Sequence, residues 1–557
     1  MSTGSLAAPC RNKKGIPMSI KKLTDSLTIN RADSGFYKGF NQVVTIGSKL
    51  LISLLVLWAI IWPQEAAAVL SSIQGIALGS FGAWYIYAMA LFFVVCILLA
   101  FVPSVGNIRL GGADTKPEFS RFSWFSMMFG AGIGIGMLTY ATGEPIYHFA
   151  NNPDIIQGLV EPKQAETLDS VYRYTFLHWG VNAWCTYALV GLSLAYFGFN
   201  RGLPLTIRSG LTPLFGNRLS GVLGHAVDIT AVLATILGMA VTIGFGISQF
   251  ASGVYNITGA DWMMNEGTPS DAAMLLALLV VMALSTLSAL SGVGKGIKWL
   301  SNLNMGLSCL LLLFFLAFGS TLLSFELLAK GVTDYVINIV PMVFNVEEKG
   351  SPLGDWQAGW TIFYWAWWIA FAPFVGMFFA RISKGRSIRE FILGAVMVPS
   401  LMCFVWFTFV GGTALDLELS GQAEGQILGA NISSQLYEVI NIMLSPEAAR
   451  LMSLMIVVLL LTYLVTSAVL VINTINAGGD VAHTGRSHII VWGSALTIVI
   501  AALLIAGGLG AIKTAMIIGA LPFSLIMVLM ALALLKAVLL PDPDSQPDPG
   551  EERPEPA

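Results

Sequence analysis

The sequence predicts an all-α polytopic membrane protein of about twelve transmembrane helices, built on an inverted repeat of five helices. Three observations predict it. Of 557 residues, 56% are hydrophobic and only 11% charged, far from the composition of a water-soluble domain. Basic residues alternate between successive loops. Two spans with helix-breaking or awkwardly packing residues near their middles lie five spans apart.

Apolar runs fall near 43–62 (span 1), 82–102 (span 2), 122–149 (span 3), 175–198 (span 4), 222–253 (span 5) and 272–290 (span 6). They continue near 297–322 (span 7), 356–381 (span 8), 388–412 (span 9), 450–475 (span 10), 488–507 (span 11) and 511–540 (span 12). Each approaches or exceeds the ~20 residues that a helix needs to cross a bilayer. The first run starts too late and runs too long for a cleaved leader, so it is kept as a span. The stretches Asn200 to Gly216 and Leu323 to Val346 are mixed and are expected along the membrane interface.

Lys13, Lys14, Lys21, Lys22 and Lys38 precede span 1; Arg109, Lys116 and Arg121 follow span 2; Arg201, Arg208 and Arg218 follow span 4. Lys295 and Lys298 follow span 6, and Arg381, Lys384, Arg386 and Arg389 follow span 8. The segments Trp62 to Gly82, Thr258 to Asp271 and Thr413 to Glu447 hold no basic residue. Positive loops stay inside, so both termini are expected in the cytoplasm. The organisation read from this is an N-terminal tail over 1–42, a transmembrane domain over 43–540 and a disordered acidic tail over 541–557.

Span 3 carries Gly130, Gly132, Gly134 and Gly136, and span 8 carries Pro373. An odd separation makes them run in opposite directions, as an inverted repeat of spans 3–7 and 8–12 demands; spans 1 and 2 are then peripheral. Four glycines in alternation cost about 3–4 kcal/mol of helix propensity against alanine. Packing would need glycine on one face only. The run is therefore expected to unwind and to line a cavity with free backbone groups. Glu144 and Pro145 follow toward the end of the same span.

At 100° per residue, Tyr364, Trp367, Trp368 and Phe371 of span 8 share an arc of roughly 100°, and Trp179, Trp184 and Tyr187 of span 4 one of about 140°. If the two faces meet, they form a cage of indole and phenol rings. Such a cage favours a cation that can neither be strongly hydrated nor hydrogen-bonded, a methylated ammonium, at ~0.5–2 kcal/mol per ring. An aromatic belt at the headgroups is the alternative, and Trp179, near one end of its span, fits it best.

The run from Trp360 to Trp368, Pro373-Phe-Val-Gly-Met377, Ala380-Arg-Ile-Ser383, the glycine run with Glu144-Pro145, Lys295-Gly-Ile and Leu300-Ser-Asn-Leu-Asn-Met305 resemble the betaine/choline/carnitine transporter family. The resemblance covers all twelve spans. It implies a LeuT-type 5+5 fold, a homotrimer, the cell membrane of a prokaryote and substrates bearing a quaternary ammonium or related onium group. It places the substrate site on Trp179, Trp184, Tyr187, Trp367, Trp368, Phe371 and Ile133. It places a sodium site on Gly130, Ile133, Tyr463, Thr466 and Ser467, whose carbonyls and hydroxyls suit a hard cation. Met305 stands where sodium-independent exchangers of the family carry arginine, and Gly136 where proton-coupled choline carriers carry aspartate; both favour sodium as the coupling ion. Phe371 replaces a tryptophan usual in betaine carriers, Ala372 a serine, and Met239, near Thr235, a threonine of a second sodium site.

The function read from this is alternating-access uptake of betaine, choline, carnitine or a similar compound, with substrate/product exchange without sodium as the rival. A channel would need rings of charge at mid-span, and few charges lie there. No nucleophile, base and orienting group recur at catalytic spacing, so no catalytic residue is expected. Cys96, Cys185, Cys309 and Cys403 fall in spans and Cys10 in the tail, without ligand spacing to the five histidines. No organic cofactor, transition metal or nucleic-acid partner is expected.

Overall fold

The computed structural model describes residues 27–132, 134–291, 296–465, 468–479 and 485–539. Both tail ends, Ile133, Lys295, Thr466 and Ser467 lie outside the described residues. The protein is a predominantly helical, multi-pass membrane protein; beside the helices, the described residues hold a short antiparallel ladder that pairs Met264 with Pro269 and Asn265 with Thr268. Nine described helices are long and apolar enough to cross a bilayer.

Span 1 is the helix Gln42–Ile61, started by the Asn41 side chain, which accepts from the Val44 amide. Span 2 belongs to a longer helix than expected, Pro63–Phe101, because Pro63 sits in its first turn and no later proline interrupts it. Spans 5, 6, 7 and 9 are Val222–Thr258, Asp271–Ser291, Gly296–Phe318 and Ile388–Leu419. Spans 11 and 12 form one helical run, Arg486–Leu539, turned at Gly507 and Gly508. Gly508 takes φ 63°, ψ −153°, a corner that a side chain would oppose.

Four spans are broken or irregular. Span 3 divides into Arg121–Gly132 and Ile135–Ala150, and span 4 into Thr167–Trp179 and Val181–Ala195. Span 10 comprises Pro446–Leu464 and Ala468–Asn476. Span 8 enters through Pro352–Gln357 and a π-helical turn at Ala358–Ile362, then runs as Phe363–Ile382. Pro373 does not interrupt that last helix. The irregularity of span 8 lies at its start instead.

The packing repeats with a shift of five spans. Span 3 packs on span 9, and span 8 packs on span 4, the pair obtained by exchanging the halves. Span 5 packs on span 10, its own counterpart.

Of the two segments expected at the interface, one is drawn into the body. Within Asn200 to Gly216, residues Ile207 to Leu211 are buried, held by Arg208 Nε donating to Asp228 Oδ2 of span 5 at 2.6 Å. A buried guanidinium needs such a partner, and this one draws the segment into the body. The stretch from Leu323 lies in the helix Thr321–Phe344, which meets the length and composition of a span but is mostly exposed. Arg173 of span 4 holds it through both oxygens of Asp334, at 2.6 and 3.1 Å, and also reaches Asp154 at 2.8 Å.

Candidate functional site: an aromatic cluster beside three irregular spans

Gly180 interrupts span 4, and this interruption builds the site. A Cβ at residue 180 would lie 2.5 Å from the Tyr335 hydroxyl, so only glycine fits. Beside the break, the carbonyls of His178 and Trp179 receive indole N–H groups: Trp368 donates to His178 and Trp184 to Trp179, each at 3.1 Å. A backbone carbonyl in a membrane interior needs a donor. Two tryptophans supply it and are thereby fixed in orientation. On the next turns, Gly191 of span 4 and Gly376 of span 8 let the two backbones touch, with a Cβ on Gly191 only 3.1 Å from the Gly376 carbonyl.

The rings of the two spans therefore converge. The Trp368 centroid lies 5.9 Å from Trp179, 5.1 Å from Trp184 and 4.7 Å from Tyr187. Trp367 is 6.4 Å from Trp179, and Phe371 is 6.5 Å from Tyr187. Exposure is 0% for Trp184, 4% for Trp368, 5% for Tyr187, 6% for Trp179 and 8% for Trp367, so these are not belt residues. Phe371 is half-buried.

Span 3 closes a third side. Its break is narrower than the four-glycine expectation. Gly130 and Gly132 are helical, Gly136 is in the first turn of the next helix, and Gly134 stands at the junction with φ −155°. Helix propensity alone did not prevent Gly130 and Gly132 from continuing the helix, because a glycine penalty is small beside tertiary packing. Gly136 has a steric reason. A Cβ there would approach Cη2 of Trp367 to 2.8 Å and Cη2 of Trp179 to 3.0 Å. Gly136→Asp is accordingly expected to displace one indole, at a cost of about 1–3 kcal/mol; a lowered unfolding temperature with altered tryptophan fluorescence is the readout.

A buried carboxyl group ties the cluster together. Glu144 Oε2 accepts from the Trp179 indole at 2.7 Å and from the Tyr364 hydroxyl. Glu144 Oε1 faces His178 Nδ1 at 2.6 Å and His148 Nε2 at 3.2 Å, while His178 Nε2 meets Thr361 Oγ1 at 3.0 Å. Glu144, His148 and His178 are wholly buried. Their ligand atoms lie within 4.8 Å of one another, a spacing that a metal ion would accept. Hydrogen bonds to both carboxyl oxygens account for the arrangement without one. His178 and His148 were not among the residues the sequence singled out for the site, and Tyr364 was placed on the aromatic face of span 8 without its bond to Glu144. The available signal was Glu144 itself, an ionisable group within a span.

Of the residues expected around sodium, Ile133, Thr466 and Ser467 lie outside the described residues. Gly130 is helical, but its carbonyl is among the last four of Arg121–Gly132, which have no intrahelical donor. Tyr463 of span 10 reaches the span 3 junction: its Cδ1 lies 3.4 Å from a Cβ placed on Gly134, and its hydroxyl meets Ser308 of span 7 at 3.1 Å.

A cavity of about 370 Å³ lies elsewhere, between Ser252, Tyr255 and Asn256 of span 5 and the segment from Gly429 to Glu438. Burial there raises the Glu438 carboxyl above its ordinary value. No tryptophan lines it.

Comparison with known proteins agrees with this architecture. The profile described as "BCCT, betaine/carnitine/choline family transporter" matches residues 43–540. The chain is 37% identical to the glycine betaine transporter OpuD of Bacillus subtilis, over 87% of this chain and 91% of that protein. It is 37% identical to the osmo-independent choline transporter BetT1 of Acinetobacter baylyi, over 89% and 93%. It is 36% identical to a probable glycine betaine transporter of Desulfitobacterium hafniense, over 90% and 98%. A solved sodium-coupled sialic acid symporter aligns with TM-score 0.45 and 12% identity over 80% of this chain and 85% of that one, too distant for its chemistry to be transferred. With the profile spanning every predicted span and the relatives matched nearly end to end, the chain belongs to the betaine/carnitine/choline transporter family and is a membrane transporter, not an enzyme.

Proposed function

We propose that the protein is a secondary active transporter importing a quaternary-ammonium or related onium compound by alternating access, coupled to sodium, with the ring cluster as its substrate site. The observation that carries this is the packing of Trp179, Trp184 and Tyr187 around Trp368 in the interior. A methylated ammonium gains from each ring face and loses little hydration on leaving water. Three or four faces supply the several kcal/mol that a micromolar-to-millimolar substrate needs, roughly 4–8 kcal/mol. Glu144 strengthens the effect, because a carboxylate accepting from the Trp179 N–H and the Tyr364 O–H draws their protons and leaves the rings richer in electrons.

Sodium acts at the span 3 junction in this reading. Tyr463 already bridges span 10 to that junction, and a cation bound there would order it. The same reading places a homotrimer in the cytoplasmic membrane of a prokaryote, with both termini on the cytoplasmic side, where the basic loops lie. The ends of spans 3 and 4 that hold Glu144 and His178 then face outward from the rings. Relatives named for glycine betaine and for choline define the compounds to try.

The test is a thermal-shift panel of betaine, choline, carnitine and trimethylamine with and without sodium, followed by vesicle uptake. Stabilisation by an onium compound that deepens with sodium is expected, and no response to any onium compound would remove the assignment. Robust counterflow with sodium on neither side would replace coupled uptake by exchange.

A further inference from the structure

Span 12 opens with a lysine that nothing above employs. Lys513 lies shortly after the Gly507–Gly508 corner, at the end of span 12 that the topology above places outward. Its Nζ sits 5.0 Å from the Phe245 ring centroid of span 5 and 5.1 Å from that of Phe363 of span 8. No hydrogen bond or ion pair joins it to another described residue. Both phenylalanines pack on Trp367, at 5.5 and 5.8 Å, so a single layer of rings separates the ammonium from the cluster. Tyr364 follows at 5.5 Å from Phe363 and donates to Glu144.

We propose that Lys513 is a specificity-determining residue that admits onium compounds carrying their own carboxylate and disfavours those with a net positive charge. The inference rests on the ring cluster being the substrate site. An uncompensated ammonium inside a span is costly and marks a functional position. A lysine serving only as an anchor snorkels its charge toward the headgroups. Lys513 turns its charge onto rings from spans 5 and 8 instead. In surroundings of low dielectric its field reaches across one layer of rings. A free cation nearing Trp367 is repelled, whereas a zwitterion can direct its carboxylate to Lys513 and its onium group to the rings beside Glu144. The site thus offers an ammonium and a carboxyl group linked through the rings of one aromatic cluster, the complement of a zwitterion.

The test compares uptake of radiolabelled glycine betaine and choline by the full chain in proteoliposomes, for the wild type, Lys513→Gln, Lys513→Met and Lys513→Arg. The wild type is expected to favour betaine over choline in kcat/KM by about tenfold or more. Both neutral variants should bring that ratio toward one, chiefly by improving choline, and Lys513→Arg should preserve it. An unchanged ratio, a parallel loss of both substrates, or a wild type that prefers choline would overturn the proposal while leaving the onium assignment standing. Uptake of no onium compound by the wild type would overturn both. Failure of both neutral variants to assemble, with Lys513→Arg intact on size exclusion, would make the lysine structural and overturn its selective role.

Discussion

Trp368→Ala is expected to lower the apparent affinity for the transported onium compound at least ~30-fold, from a loss of about 2–4 kcal/mol. Three contributions add. The central ring of the cluster disappears, since Trp368 touches Trp179, Trp184 and Tyr187. A cavity replaces it. The His178 carbonyl loses its indole donor beside the span 4 break. Trp368→Phe separates these effects, because it keeps a ring face and removes only the donor; it should bind more weakly than wild type and more tightly than alanine. Titration of intrinsic fluorescence with the ligand found in the thermal-shift panel gives the numbers, and equal affinity in wild type and alanine variant would move the substrate site elsewhere.

Glu144→Ala is expected to cost about 3–5 kcal/mol and to abolish uptake, because it strands buried polar partners on three spans at once. The Trp179 indole, the Tyr364 hydroxyl and the two imidazoles all converge on this carboxyl group. Glu144→Gln retains the shape but replaces one acceptor by an NH2 group, which keeps the oxygen on Trp179 and Tyr364 only by turning toward the two imidazoles. Its loss should be smaller in unfolding temperature yet still large in uptake, since the negative charge beside Trp179 and Tyr364 and the acceptor facing His178 and His148 are both gone. An alanine variant with wild-type stability and transport would show that the hub holds nothing in place.

The helical phase of the aromatic residues was legible in the sequence because side-chain direction follows from 100° per residue once a span is helical. Tyr187, Trp368 and Phe371 needed nothing else to be placed on facing arcs, and their rings meet where those arcs cross. Gly180 was not legible. A lone glycine between Trp179 and Val181 reads as ordinary packing, and only the position of Tyr335, 155 residues further on, shows that no side chain fits there. The opposite error arose at span 3, where four glycines announced a local unwinding over Gly130 to Gly136 and the chain broke only near Gly134. Local propensity gives the cost of a break without locating it. The convergence on Glu144 was likewise hidden, because its partners come from residues 148, 178, 179 and 364 and their meeting depends on how spans 3, 4 and 8 cross. The stretch Asn200 to Gly216 looked interfacial because composition could not reveal that Asp228 would accept Arg208.

The indole N–H bonds to the carbonyls of residues 178 and 179 constrain how this protein can evolve. With the ring cluster as the proposed substrate site, Trp184 and Trp368 answer to two demands together, one from the cargo and one from their own chain, and a drift to phenylalanine or tyrosine meets the first while leaving an oxygen stranded in hydrocarbon. Phe371 carries no such duty. New cargo preferences should therefore arise by exchange at position 371 and at its neighbours, around two tryptophans that the backbone itself will not release.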